Sequence, residues 1–347
     1  MKAVLHILLL LLGVAAAPAA FSAGSFAARP EVHLFIAEMH DKHGFDTTQL
    51  TLAFARIKPI PAVIQAILPP RDPAIRSWQA YRARFIDPKR IALGLKFWQR
   101  NRDALAVARE LTGVPEEIIV AIIGIETIYG HNNGKFGTLA ALATLAFDYP
   151  VTDTTHAASR TALFRRELEE LLLLAREMHR DPLSFTGSYA GALGLPQFLP
   201  SSVRQYATDG DSDGRIDLAS SSADAIASVA SFLKEHGWER DGPVTATAIV
   251  AGDKFAALIE EGIVPRLKPS ELTAYGVTCG DAIELPAALI DLVTPQQPTE
   301  YRLGYHNFYV LTRYNRSSFY ATAVYDLSRE LRARRGMEST PQPREKM

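Results

Sequence analysis

The amino-acid sequence predicts a mainly α protein, α+β in class, with one small strand-bearing lobe. Two observations carry that expectation: helix-start and helix-stop signals recur along most of the chain, and β-prone runs are confined to Pro243–Val250 and Val277–Val293. A third sets the scale. A chain of 347 residues, 48% of them apolar at a net charge of −1, is long enough for one large domain or two intimate ones.

Taken in order, the chain opens with Met1-Lys2, an apolar run from Leu5 to Val14 and small residues from Ala15 to Ala28, the pattern of a secretory signal peptide assigned to residues 1–23. The run is too short for a permanent membrane anchor, and no later stretch approaches transmembrane length. The mature protein is expected to be exported and soluble. Pro30 to His43 reads as a helix stopped at Gly44, and Asp46 with Gln49 caps a second helix ending near Lys58-Pro59. Ile60 to Pro73 holds four prolines and is expected to be mostly loop. Ser77 to Ile86 carries Trp78, Tyr81 and Phe85 at helical spacing, and a further helix containing Phe97 and Trp98 leads to Gly113. Pro115 starts the next helix. His131 to Gly137 is a loop, a short helix runs through Ala146, and Arg165 to Arg180 is a strongly patterned helix. The glycines of Gly187 to Pro200 make a turn before a helix capped by Ser202 and Gln205. Residues 24–331 are expected to form the functional region, with 332–347 a flexible basic tail.

Composition excludes several classes of function. Basic residues are dispersed except near Arg329 to Arg335, which reads as a solvated helix end, so no nucleic-acid partner is expected. Cys279 is the single cysteine, which rules out an intrachain disulfide and a cysteine metal site. Cys279 and His306 are read as structural.

The chemistry concentrates in four stretches. From Ile118 to Tyr129 almost every residue is apolar, and Glu126 is the one carboxyl after Glu117. Its helical neighbours strip it of hydration, which disfavours the charge and leaves a proton donor at neutral pH; a buried structural Glu is the alternative. Gly187-Ser188-Tyr189-Ala190-Gly191-Ala192-Leu193-Gly194 brings backbone close to a ligand, with Ser188 and Gln197 offering uncharged hydrogen-bonding groups. Asp209, Asp211 and Asp213, with Gly214 at the sixth position and Ile216 at the eighth, follow the opening of an EF-hand loop. Arg215 stands at the seventh position, whose backbone carbonyl serves as a ligand, and Ser220 replaces the usual bidentate Glu unless Asp224 swings in. A structural calcium ion is expected, and no organic cofactor. Finally, Tyr301 to Tyr325 is dense in aromatic and amide side chains, which suit either a glycan cleft or a core helix.

Three of these segments together resemble the membrane-bound lytic murein transglycosylase B family, glycoside hydrolase family 103. They are Gly124-Ile125-Glu126-Thr127 with Gly130, Gly187 to Ser202, and Arg313-Tyr314-Asn315 with Tyr320. The acidic loop lies where that family carries its EF-hand-like site, and the resemblance spans residues 31 to about 331. It implies a lysozyme-like fold and cleavage of peptidoglycan between N-acetylmuramic acid and N-acetylglucosamine. Glu126 matches the catalytic acid; Ser188, Gln197, Tyr314 and Asn315 match residues that hold the sugar and its acetamido group; Tyr81 and Tyr320 match aromatic cleft residues. The mechanism implied ends in 1,6-anhydromuramic products; hydrolysis of the same bond by a muramidase, or a non-catalytic peptidoglycan-binding scaffold, are the alternatives. The partner implied is the peptidoglycan glycan strand. Two departures stand out. Val151 to Ser159 separate Tyr149-Pro150 from Arg160, where the family has an arginine pair, and no lipidation cysteine is present, which implies a soluble periplasmic form.

Overall fold

The structure, a computed structural model, describes residues 24–68, 76–150 and 154–338; the expected signal peptide lies outside them. The chain forms two compact units, one ending at Pro59 and one beginning at Ile60. In the first, α1 (Pro30–His43) starts with Pro at its first position and stops at Gly44, whose φ of 67° lets its N–H bond the His40 carbonyl at 2.7 Å. Asp46 caps α2 (Thr47–Ala55) by accepting the Gln49 N–H at 2.9 Å. That helix stops short of Lys58-Pro59. Phe35 and Phe54 join the two helices edge to face.

The second unit opens with a helix where a loop was expected, α3 (Pro61–Ile67). Pro61 sits at its first position, where a missing N–H is harmless, and no breaker follows before Pro69. Ser77 caps α4 (Trp78–Phe85). The single helix expected up to Gly113 is two, α5 (Pro88–Arg100) and α6 (Arg102–Thr112), because the Asn101 side chain bonds back to the Phe97 carbonyl at 2.8 Å. Next comes α7 (Glu116–Thr127), buried along nearly its whole length, with Pro115 as the residue before its first turn. After α8 (Thr138–Phe147), α9 (Thr154–Glu177) begins well before the expected Arg165. It therefore takes in the end of the Val151 to Ser159 insertion.

α10 (Pro200–Tyr206) follows, without the expected caps from Ser202 and Gln205. Instead the buried Glu167 carboxylate of α9 accepts the Ser201 N–H at 3.0 Å and hydroxyl at 2.8 Å, so the helix start is satisfied from a neighbouring element. α11 (Ser222–Glu235) is capped by Ser221. β1 (Phe136–Gly137) and β2 (Thr186–Gly187) form a short antiparallel ladder.

The strand-bearing lobe holds β3 (Thr245–Val250), the short helices α12 (Ala256–Glu260) and α13 (Pro269–Leu272), β4 (Val277–Thr278), β5 (Ala288–Leu292) and β6 (Glu300–Gly304). The order is β4-β3-β6-β5 and every pair is antiparallel. Its core gathers Leu258, Leu272, Val277, Leu289, Leu303 and Tyr305. The lobe outruns its expected end near Val293, because Tyr301 belongs to β6 rather than to an aromatic helix. α14 (His306–Tyr314) and α15 (Ser318–Glu338) complete the chain.

α7 packs against α5, α6, α11 and α15, which makes it the central helix of this unit. Its start is tied to α15 by Arg332 on Glu117 at 2.9 Å and Arg335 on Glu116 at 3.1 Å. Residues 332–338, expected in a flexible tail, are therefore helical and bonded to the core helix. No helix of the described residues is long and apolar enough to cross a membrane.

Candidate active site

Glu126 stands in the last turn of α7, where the negative end of the helix dipole disfavours a carboxylate. Ile128 and Tyr129 then take consecutive left-handed conformations, φ 53° and 59°, and turn the chain sharply away. Glu126 is half-buried as a residue, and its carboxyl is packed closely enough that desolvation lifts it to about 7. The Tyr320 hydroxyl donates to its Oε1 at 2.6 Å, which opposes that rise.

Three tyrosines face this carboxyl. Burial and then the Glu126 charge push Tyr81 up to about 12, and raise Tyr314 and Tyr320 in the same way. The Tyr314 and Tyr320 rings are parallel, 6.2 Å apart at 11°. Tyr81, on α4, packs against Phe85 and Phe319. Among the described residues no second carboxylate perturbs Glu126. One carboxyl near 7 can donate a proton and later take one back.

The Gly-rich segment lies alongside. Its backbone is drawn close to the chain after the acidic loop: the Leu195 N–H donates to the Leu218 carbonyl at 2.8 Å, and a Cβ on Gly194, φ 67°, would lie 2.3 Å from that oxygen. Thr127, next to Glu126, donates to the Leu195 carbonyl at 3.0 Å. Tyr314 donates to the Pro196 carbonyl at 2.5 Å. Gln197 has a left-handed backbone, φ 52°, and its amide donates to Gly194 at 2.9 Å and Asn133 at 3.3 Å. Ser188 closes its own turn by accepting the Ala192 N–H at 3.0 Å.

Tyr81, Tyr314 and Tyr320 are thus gathered at Glu126, and the hydroxyls of Tyr314 and of Thr127, the acid's neighbour in the chain, hold Pro196 and Leu195 in the segment that carries Ser188 and Gln197. Neither Ser188 nor Asn315 bonds Glu126. Asn315 is exposed at the end of α14, and its side chain makes no hydrogen bond among the described residues; only its carbonyl is used, by the Ser317 N–H at 2.7 Å. Arg160 is exposed on α9. Two contributors escaped the sequence reading. Thr127 is fully buried, and its signal was a polar residue inside the apolar run. Arg90, 7% exposed, donates to Gly124 at 3.1 Å and to Arg84 at 2.5 Å, which joins the last turn of α7 to the end of α4. An arginine on an amphipathic helix gives no such signal.

In the acidic loop, Asp209, Asp211 and Asp213 offer carboxylate oxygens within 4.8 Å of one another. Such hard donors at that spacing fit calcium. Asp224 does not join them. Buried in the first turn of α11, it accepts the Gly210 N–H at 2.8 Å and the Asp217 N–H at 2.7 Å, one on each oxygen, and so staples the two ends of the loop. The Arg215 N–H donates to Asp213 at 2.8 Å, and its side chain is exposed.

Comparison with known proteins gives consistent results. Residues 27–329 match the Transglycosylase SLT domain family. The chain is 40% identical over 317 residues to the membrane-bound lytic murein transglycosylase B of Escherichia coli, covering 88% of this chain and 83% of that protein. It is similar in structure to the soluble lytic transglycosylase SltB1 from Pseudomonas aeruginosa, at a TM-score of 0.80 and 43% identity over 88% of this chain and all of that one (100%). It is also similar to the Escherichia coli lytic transglycosylase Slt35 in complex with calcium, at a TM-score of 0.76 and 38% identity over 90% and 96% of the two chains.

Proposed function

The chain belongs to the Transglycosylase SLT domain family, as a lysozyme-like lytic transglycosylase acting on peptidoglycan, and from that premise we propose how its residues divide the work. Glu126 is the acid: it protonates the glycosidic oxygen between N-acetylmuramic acid and N-acetylglucosamine. The substrate's own 2-acetamido oxygen, oriented by Asn315 and Ser188, covers C1 from the opposite face as positive charge develops there. Glu126, now an anion, takes the proton of the C6 hydroxyl, whose oxygen closes on C1 to give the 1,6-anhydro end. Gln197, Tyr81 and Tyr314 line the sugar path.

The observation that carries this reading is a single half-buried carboxyl at about 7 with no second carboxylate among the described residues acting on it. A hydrolase working through two carboxyls needs the second within reach of the sugar. The unbonded Asn315 amide supports its role. A calcium ion held by Asp209, Asp211, Asp213 and the Arg215 carbonyl would brace the loop whose exit supports Leu195, without entering the reaction. The signal-peptide pattern of residues 1–23 supports export to the periplasm.

Two measurements test the reading. Glu126→Gln, which fills the same volume but cannot donate the proton, is expected to fold, bind glycan and leave purified peptidoglycan uncut; substantial lysis would defeat the assignment. Mass analysis of the digested sacculi is expected to show anhydro ends. Reducing ends, heavier by one water, would mean hydrolysis instead.

A further inference from the structure

Glu126 has two oxygens and one proton to give, and the structure distinguishes them. The Tyr320 hydroxyl donates to Oε1 at 2.6 Å, so in the neutral acid Oε1 accepts and the proton rests on Oε2. Tyr320 is only 2% exposed and offers almost no surface to a sugar. Its ring is held parallel to Tyr314, whose own hydroxyl is taken by the Pro196 carbonyl, and its backbone N–H donates to the Ser317 hydroxyl at 3.3 Å. The Tyr320 hydroxyl is therefore aimed by packing from both ends.

The other charged groups around the acid are engaged elsewhere. Tyr81 on α4 and Tyr314 on α14 face Glu126 without bonding it. Arg90 on α5 is bound to Gly124, Lys234 on α11 reaches Leu111 on α6, and Glu116 and Glu117 lie at the far end of α7 with Arg335 and Arg332.

From this geometry, and resting on Glu126 as the acid, we infer that Tyr320 is a positioning residue for the acid rather than a contact for the glycan: it fixes Oε1, leaves Oε2 as the donor, and steadies the carboxylate formed when the proton departs. The proton passes from Oε2 to the glycosidic oxygen as the C1–O bond breaks and its electron pair goes to that oxygen. The C6 hydroxyl proton then returns to Glu126 while the C6 oxygen bonds C1, so the acid is regenerated and no water is consumed.

A bond donated to a carboxylate favours ionisation, so removing the hydroxyl should raise the titration of Glu126. Because only the protonated acid works, the alkaline limb of the rate profile should move to higher pH. The test is Tyr320→Phe in the full chain, with Tyr314→Phe as control. For Tyr320→Phe the limb of kcat/KM is expected to rise by about one unit, since a bond to a charged group has roughly that effect. Turnover is expected to fall about tenfold, with KM and the melting temperature nearly unchanged because the ring and its stacking remain. The carboxyl of Glu126, followed by carbon NMR and assigned against Glu126→Gln, should shift upward in Tyr320→Phe and stay in place in Tyr314→Phe. A limb and a carbon titration that do not move, or a loss confined to KM, would overturn the inference, as would a fallen melting temperature with an unmoved titration. If Glu126→Gln itself cuts glycan, the acid assignment fails and this inference with it. If Glu126→Gln is inactive and Tyr320→Phe titrates like the parent, only this inference fails.

Discussion

At the scale of single residues, the role proposed for Glu126 turns on keeping its carboxyl neutral. Desolvation raises Glu126 to about 7 in the folded protein, above the 4.5 it has in solution. A group raised in this way contributes stability in full below its unfolded value and loses it as pH climbs through the folded one. Cleavage should therefore decline as pH rises through about 7, whereas the stability is lost between the two values, from about 4.5 to about 7, and Glu126→Gln should escape that loss. Melting temperatures of the two proteins between acid and alkaline pH check this: a constant difference would mean that Glu126 titrates normally. Asn315 makes a complementary case. Its side chain makes no hydrogen bond among the described residues while its carbonyl shapes the turn to Ser317, so Asn315→Ala should leave the melting temperature alone. If the amide orients the acetamido group, turnover should drop more than glycan affinity, because that contact strengthens as charge develops at C1. A loss explained wholly by affinity would refute the role.

At the scale of elements, α7 shows how packing sets the position of the acid. Gly124 lies against Tyr129: a Cβ there would approach the Tyr129 hydroxyl to 2.4 Å and its ring carbon to 2.6 Å. That hydroxyl is buried and has no hydrogen-bond partner among the described residues. Gly124→Ala, normally favourable in a helix, should here destabilise by about 1–3 kcal/mol through overpacking. Tyr129→Phe, which deletes an unsatisfied buried hydroxyl, should be neutral or stabilising and should relieve part of the Gly124→Ala effect, as a double-mutant cycle of unfolding free energies would reveal. Additive effects would show that the two sites do not meet. The same elements mark what could be read in advance. Glu126 was legible because one carboxyl interrupted an apolar helix, and the acidic triad because loop spacing is local. α3 was missed because four prolines outweighed a seven-residue helical stretch that one of them starts. The Asn101 break depends on one side-chain bond, and β6 on a partner strand far along the chain. The Tyr320–Glu126 bond spans 194 residues, and no local pattern encodes it.

At the scale of the whole second unit, hydrogen bonds joined by short backbone segments lead from the acidic loop to the neighbour of Glu126, so a calcium ion held in the loop would act beyond local bracing. Asp217, at the loop's exit, accepts the Ala219 and Ser220 N–H groups at 3.0 Å each. Leu218 and Ala219 then offer their carbonyls to the Leu195 N–H and the Asn133 side chain. Leu195 in turn accepts from Thr127, the neighbour of Glu126. Three carboxylates within 4.8 Å repel one another, so a cation that binds the native loop should stabilise the fold by mass action. The gain is about 2.7 kcal/mol at a calcium concentration about a hundredfold above Kd. Calcium should raise the melting temperature and slow amide exchange at Leu195, and Asp213→Ala should abolish both responses. Because Asp213 also accepts the Arg215 N–H, that variant will start from lower stability, so the calcium-dependent shift is the quantity to compare rather than the melting temperature itself. Identical transitions in calcium and chelator would remove the metal from the account, whereas a thermal shift with unchanged exchange at Leu195 would confine its effect to the loop.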